Sequence, residues 1–158
     1  MKNKTKSIAL SGVFVAIYAV VTLAISPFSF GAIQCRLSDV LLMFCIKRKE
    51  AIAGCVFGCV IANMFSPLGI IDMAVGALAN FLIGAFAYKS KKIIMTIVAG
   101  GMIAGLFIGA ELCVIYSIPF LMTFVTVAIG EILSLTVGAI LYRIINKHMG
   151  ERQIENVK

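Results

Sequence analysis

Polar residues along this chain occur in short runs that separate long apolar stretches. The basic runs lie at 2–6, 47–50, 89–92 and from 143 to the end. Three apolar stretches remain between them, at 7–46, 51–88 and 93–142. Each is long enough for two membrane crossings, since one helix needs about 20 residues to cross a hydrocarbon core roughly 30 Å thick.

Proline-containing turns divide each apolar stretch in two, near 26–27, 66–69 and 117–119. Proline cannot continue a regular helix, so these positions are suited to helix ends. The pattern therefore predicts six helices, at about 7–26, 32–46, 51–66, 69–88, 93–115 and 119–145. The second and third are short for a full crossing, so their ends are expected to stop below the membrane surface.

The composition agrees with an integral membrane protein. Hydrophobic residues make up 61% of the 158 residues and charged residues 13%. Typical soluble domains contain about 45–50% apolar residues and about 25% charged residues. The apolar run 8–25 is also too long for the core of a cleaved signal peptide, so it is expected to remain as the first helix. We expect one all-α membrane domain over 1–158.

The basic residues predict the orientation of the helices. Of the 14 lysines and arginines, all except Arg36 lie in the termini and the two basic loops. Six crossings put these segments on one side, which the positive-inside rule assigns to the cytoplasm. Both termini are therefore expected there, and the net charge of +7 gives no reason to expect nucleic-acid binding.

Five ionisable residues lie outside the basic runs, at the depth of the predicted helices: Arg36, Asp39, Asp72, Glu111 and Glu131. At 1.5 Å per residue, Arg36 would lie roughly 16 Å from Lys47, near mid-membrane. Such groups cost a few kcal/mol each unless they pair or meet a ligand. Arg36 and Asp39 could pair at i and i+3, but one arginine cannot neutralise four acids, so a cationic, donor-rich ligand is also expected.

Other polar and small residues share helix faces. Asp72, Gly76 and Asn80 form one stripe, and Thr123, Thr126, Gly130, Glu131 and Ser134 form another. For the hydroxyl groups, helix–helix hydrogen bonding is the simpler interpretation. Gly12 and Ala16 form a small face on the first helix that permits close packing. The five cysteines are expected to be buried apolar residues, and no metal site is predicted.

Four short motifs then point to a family. The segments GAIQCRLSD (31–39), SPLGIIDMAVG (66–76), IGAELCVIYSIPF (108–120) and VAIGEI (127–132) resemble the QueT family in order and spacing. These proteins are the solute-binding S components of energy-coupling factor (ECF) transporters for queuosine precursors. The resemblance covers about 7–145, and one departure is Asp39, where the family pattern carries Glu.

The resemblance implies the six-helix S-component fold and capture of a solute from outside. ATP would be used by two partner ATPases, coupled through a membrane T component, and this chain would carry no cofactor. It has no phosphate-binding G-x-x-x-x-G-K-[ST] motif of its own. S components contact the T component through a small-residue face on the first helix, and the matching positions here are Gly12 and Ala16.

The implied solute, 7-aminomethyl-7-deazaguanine or queuine, carries a guanine edge with adjacent N–H donors and a cationic amine. A carboxylate can accept the donor pair with both oxygens. Glu111 or Glu131 is expected at the guanine edge and Asp72 at the amine. The remaining expected contacts are Arg36 or Gln34 at the carbonyl, Asp39 in the wall of the site, and a stacking ring from Phe28, Phe30 or Tyr116.

Three alternatives stay open at the level of sequence. An S component of the same fold could bind another vitamin or nucleobase. An intramembrane enzyme would need a catalytic set, for which an Asp39/Asp72 pair is the available candidate. A structural or assembly protein would pair its acids internally and bind no solute.

Overall fold

A computed structural model describes residues 2–25 and 36–155, with the side chains of 4–25 and 36–148. The described chain is helical and contains no strand. The helices are α1 (Lys2–Ala24), α2 (Leu37–Ile46), α3 (Lys49–Asn63), α4 (Ile70–Ser90), α5 (Ile93–Tyr116) and α6 (Phe120–Glu155). This confirms the predicted all-α class with six helices.

Four of the described helices are long and apolar enough to cross a membrane. They are Lys4–Ala24, Ile70–Ser90, Ile93–Tyr116 and Phe120–His148. The side chains on the outside of the bundle are apolar, as Val20, Ile70 and Val114 show at 66%, 81% and 80% exposure. Buried polar groups lie inside this apolar surface, which is the arrangement expected of a multi-pass membrane protein.

The short helix α2 lies at the centre of the bundle. It contacts all five other helices, which follow one another around it in the order α1, α3, α4, α5, α6. Seven residues of α2 are buried. A helix that is enclosed by its neighbours on nearly every side is stabilised by packing, so it does not need the length of a membrane span.

The geometry of α2 differs from the predicted α-helix over 32–46. Leu37–Ile46 is a 3-10 helix, which rises about 2.0 Å per residue instead of 1.5 Å. Arg36 therefore lies about 22 Å from the level of Lys47, further than the α-helical estimate. Residues 32–35 of the predicted helix lie outside the described part.

Glycines allow the helices to approach closely. A Cβ on Gly58 of α3 would lie 2.7 Å from the Cβ of Tyr18, and one on Gly109 of α5 would lie 3.0 Å from the Cα of Phe124. Gly101, Gly105 and Gly109 recur at four-residue spacing on the face of α5 that meets α6. Small residues at this spacing are the usual means by which membrane helices pack without a hydrophobic driving force.

Candidate functional site

Nine polar side chains from all six helices meet inside the bundle. Each is at most 6% exposed. We call this set the polar cluster, and its members are Tyr18, Arg36, Asp39, Cys59, Asn63, Asp72, Asn80, Glu111 and Glu131.

Arg36 organises one half of the polar cluster. It lies just before α2, and its Nη2 donates to Asp72 Oδ1 on α4 at 3.1 Å. Its Nη1 is 3.4 Å from the sulfur of Cys59 on α3. Asn63, one turn after Cys59, donates through Nδ2 to the backbone carbonyl of Asp72 at 2.8 Å. A buried arginine is thus held between α3 and α4 at the point where α2 begins.

Gly76 makes room for this arrangement. A Cβ at this position would lie 2.8 Å from Asn63 Nδ2 and 3.0 Å from Arg36 Nη1. The stripe of Asp72, Gly76 and Asn80 on α4 therefore faces the cluster along its length, with the glycine where the guanidinium needs space.

Tyr18 and Asp39 organise the other half. The Tyr18 hydroxyl donates to Asp39 Oδ1 at 2.5 Å and accepts from Asn80 Nδ2 at 2.9 Å. Asp39 is also close enough to Glu131 of α6 to interact with it. This half of the cluster therefore brings two carboxyl groups together beside a tyrosine and an asparagine.

Glu111 differs from the other acids because both of its oxygens are buried without a hydrogen-bond partner among the described residues. It interacts electrostatically with Asp72 and Arg36, so it belongs to the Arg36 half. Glu111 also borders an open groove of about 500 Å³ between α4 and α5 on the outer side of the bundle, whose other lining residues are apolar, including Val75 and Phe107. A carboxylate in this position can accept hydrogen bonds from a bound molecule.

Further polar atoms of the Arg36 half are buried and have no partner in the described part of the chain. They are Asn63 Oδ1, Asp72 Oδ2 and Arg36 Nε. With the two oxygens of Glu111 they make four acceptors and one donor. Buried polar groups are nearly always satisfied in folded proteins, so a set of this kind indicates a ligand or a segment that covers it.

The structure brings together five of the residues proposed from sequence: Arg36, Asp39, Asp72, Glu111 and Glu131. Arg36 forms its ion pair with Asp72, and the carboxylate of Asp39 is bound by Tyr18. Tyr116 is 41% exposed at the end of α5, so it is not part of the buried cluster. Phe28, Phe30 and Gln34 lie outside the described residues.

The small residues and hydroxyl groups have different surroundings. Gly12 and Ala16 are exposed on the outer side of α1, and a Cβ on Gly12 would meet no atom within 4 Å. Thr123 donates to the carbonyl of Gly109 at 2.8 Å, which is the helix–helix hydrogen bond expected for these hydroxyls. Thr126 donates within its own helix.

Tyr18, Cys59 and Asn63 are members of the cluster that the sequence reasoning missed. Tyr18 and Cys59 look like apolar core residues in their sequence context. Asn63 carried a usable signal, because an amide in an apolar membrane helix must find a hydrogen-bond partner.

Comparison with known proteins connects this geometry to a family. The sequence profile described as QueT transporter matches residues 8–147. The chain is also 29% identical over 154 residues to the "Queuosine precursor transporter QueT" of Lactococcus lactis subsp. cremoris (strain MG1363), covering 87% of this chain and 90% of that protein. No solved structure matches the chain. Because the matched segment runs from α1 into the last part of α6, the chain belongs to the QueT transporter family.

Proposed function

We propose that this chain is the solute-binding S component of an ECF-type importer and captures 7-aminomethyl-7-deazaguanine or queuine from outside the cell. Membership of a transporter family supports transport over the intramembrane-enzyme alternative. The name of the Lactococcus relative, a queuosine precursor transporter, supports a queuosine precursor as the solute. The described chain offers a central polar cluster, which is the kind of site that solute capture requires.

The unpartnered atoms of the Arg36 half carry this proposal. Four acceptors and one donor are buried there without partners among the described residues. A deazaguanine offers the complement: an N–H and an amino group side by side, one carbonyl, and an ammonium group. An anionic vitamin would instead place its carboxylate or phosphate against unpartnered acceptors, which is unfavourable.

We assign the guanine edge to Glu111 rather than Glu131. Both oxygens of Glu111 are available to accept a bidentate pair, whereas Glu131 interacts with Asp39. Asp72 Oδ2 would accept from the ammonium group while Oδ1 remains bound to Arg36, and Arg36 Nε would donate to the carbonyl. In this assignment Asp39, Tyr18 and Asn80 form the wall behind Arg36.

The charge of the polar cluster supports a cationic solute. The described cluster contains one arginine and four acids, which gives a nominal charge of −3 when all of them are ionised. A bound ammonium group would compensate part of this charge in a low-dielectric interior, where such an interaction is strong.

We further propose that the chain has both termini in the cytoplasm and docks onto a T component that is coupled to two ATPases. The exposed small face of Gly12 and Ala16 on α1 supports this docking, because small residues let a partner helix approach closely.

Isothermal titration calorimetry on the detergent-purified chain tests the solute. The solutes are 7-aminomethyl-7-deazaguanine, queuine and guanine, with riboflavin as an unrelated vitamin. The proposal predicts saturable binding of at least one deazaguanine and weaker binding of guanine, which lacks the cationic substituent. Tighter binding of guanine or riboflavin than of either deazaguanine by a folded chain would refute the solute assignment.

A further inference from the structure

A basic pocket lies at one end of the bundle, between the α4–α5 connection and α6. Its volume is about 540 Å³, and it is lined by Lys91, Lys92, Ile93, Ile94, Met95 and Arg143. It is separate from the polar cluster, because none of its lining residues belongs to that set.

The pocket concentrates positive charge, and its lining residues include no acid. Its three cations come from two separate parts of the chain, and none forms an ion pair with an acid among the side chains that the structure describes. The first turn of α5, which forms one wall, also contains no acidic residue. Three like charges around one concave surface repel one another, so an anion that binds between them is stabilised.

The other half of the pocket is apolar and accessible. Ile94 is 74% exposed and Met95 is 50% exposed. They begin the membrane-length helix Ile93–Tyr116, so the cations immediately before them lie where a membrane-spanning helix meets the headgroup layer. One pocket therefore presents cations beside exposed apolar side chains, at a depth where lipid headgroups and acyl chains meet.

We propose that this pocket binds an anionic phospholipid, with its phosphodiester between Lys91, Lys92 and Arg143 and an acyl chain along Ile94 and Met95. Basic pockets between transmembrane helices are known to hold such headgroups. The combination of charge and apolar surface favours a lipid over an acidic protein partner, which would not need exposed isoleucine and methionine at the same place.

The test uses the full chain in phosphatidylcholine nanodiscs that contain a minor share of phosphatidylglycerol or cardiolipin. Native mass spectrometry counts the anionic lipids that stay bound after release from the disc, as a function of their share. The test variant is Lys91→Gln/Lys92→Gln/Arg143→Gln. The matched control is Lys47→Gln/Arg48→Gln/Lys49→Gln. It also removes two lysines and one arginine, but from the other basic loop.

The proposal predicts that the test variant loses affinity for the anionic lipid by about 100-fold, since each basic residue near the surface contributes about 1 kcal/mol. The control variant should keep its affinity within a few-fold. The charge-preserving change Lys92→Arg should also keep it, which separates lost charge from misfolding. Soluble glycerophosphoglycerol should not displace the lipid, because it lacks the acyl chains.

Four results would overturn the proposal. An equal loss of lipid affinity in the test and control variants would show that the lipid responds only to the general positive charge of the surface. Unchanged lipid affinity in both variants would show that the pocket is not the binding site. Displacement by the soluble headgroup would show a simple anion site. Loss of a partner subunit from the test variant with unchanged lipid binding would assign the pocket to a protein contact instead.

Discussion

The Tyr18 hydroxyl joins three helices of the polar cluster through one donated and one accepted hydrogen bond. It links Asp39, just inside α2, to Asn80 on α4, and its side chain is fully buried. Because a buried polar group without a partner is costly, this single oxygen helps to fix the position of the Asp39 carboxylate.

Replacing Tyr18 with Phe should lower the stability of the protein. The change removes one hydroxyl and leaves Asp39 and Asn80 each short of a partner, so we expect a loss of about 1–3 kcal/mol in the free energy of unfolding. Thermal unfolding in detergent, followed by circular dichroism, measures it. Tyr116→Phe is the control, because Tyr116 is 41% exposed, and equal unfolding temperatures for both variants would contradict the assigned role.

At the scale of single residues, sequence reasoning found the charged members of the cluster but not their pairing. An arginine and four acids inside apolar stretches are visible in any membrane sequence. The partner of Arg36 is Asp72, 36 residues away, while the nearer candidate Asp39 is bound by Tyr18. Local spacing cannot reveal such a choice, because it depends on how α2 lies between α3 and α4.

At the scale of elements, the hydrophobic pattern predicted the number of helices but not the type of helix that α2 forms. Apolar runs and proline turns were sufficient to predict six helices, since each crossing must satisfy its own backbone hydrogen bonds. They were not sufficient to predict that Leu37–Ile46 is a 3-10 helix. The segment contacts all five other helices, and the hydrophobic pattern alone does not distinguish a 3-10 helix from an α-helix.

The contact between α2 and α6 can be tested at Gly138. A Cβ at this position would lie 2.5 Å from the carbonyl oxygen of Val40 and 3.0 Å from its Cα. Backbone atoms cannot avoid such a contact by changing rotamer, as a side chain can. Gly138→Ala should therefore push α2 away from α6 and destabilise the protein by about 1–3 kcal/mol. The displacement should also weaken solute binding, because α2 carries Asp39 and follows Arg36.

Gly12→Ala is the matched control for Gly138→Ala. No atom lies within 4 Å of a Cβ on Gly12, and alanine is favoured over glycine in a helix by about 1 kcal/mol. This variant should be as stable as the unmodified chain or slightly more stable, with unchanged solute binding. If the two alanine variants unfold at the same temperature, the close contact of α6 with α2 does not constrain the fold.

At the scale of the whole molecule, α1 has two faces with different surroundings. Tyr18 points into the polar cluster, whereas Gly12 and Ala16 lie on the exposed outer side. Gly12→Leu and Ala16→Leu should therefore prevent co-purification with a T component while leaving solute affinity unchanged. Co-purification that survives both changes would exclude this face of α1 as the docking surface.

The central claim is that the polar cluster is the solute site, and calorimetry on a matched pair of variants tests it most directly. Glu111→Gln removes a buried carboxylate of the cluster. Glu50→Gln makes the same change at the start of α3, where Glu50 accepts a hydrogen bond from Ser7. A charge-assisted hydrogen bond contributes about 1.5–3 kcal/mol, so Glu111→Gln should weaken deazaguanine binding by about 10- to 150-fold, and Glu50→Gln should leave it unchanged. Equal affinity in both variants would contradict the account, because the solute would then bind without the Glu111 carboxylate to which we assign its guanine edge.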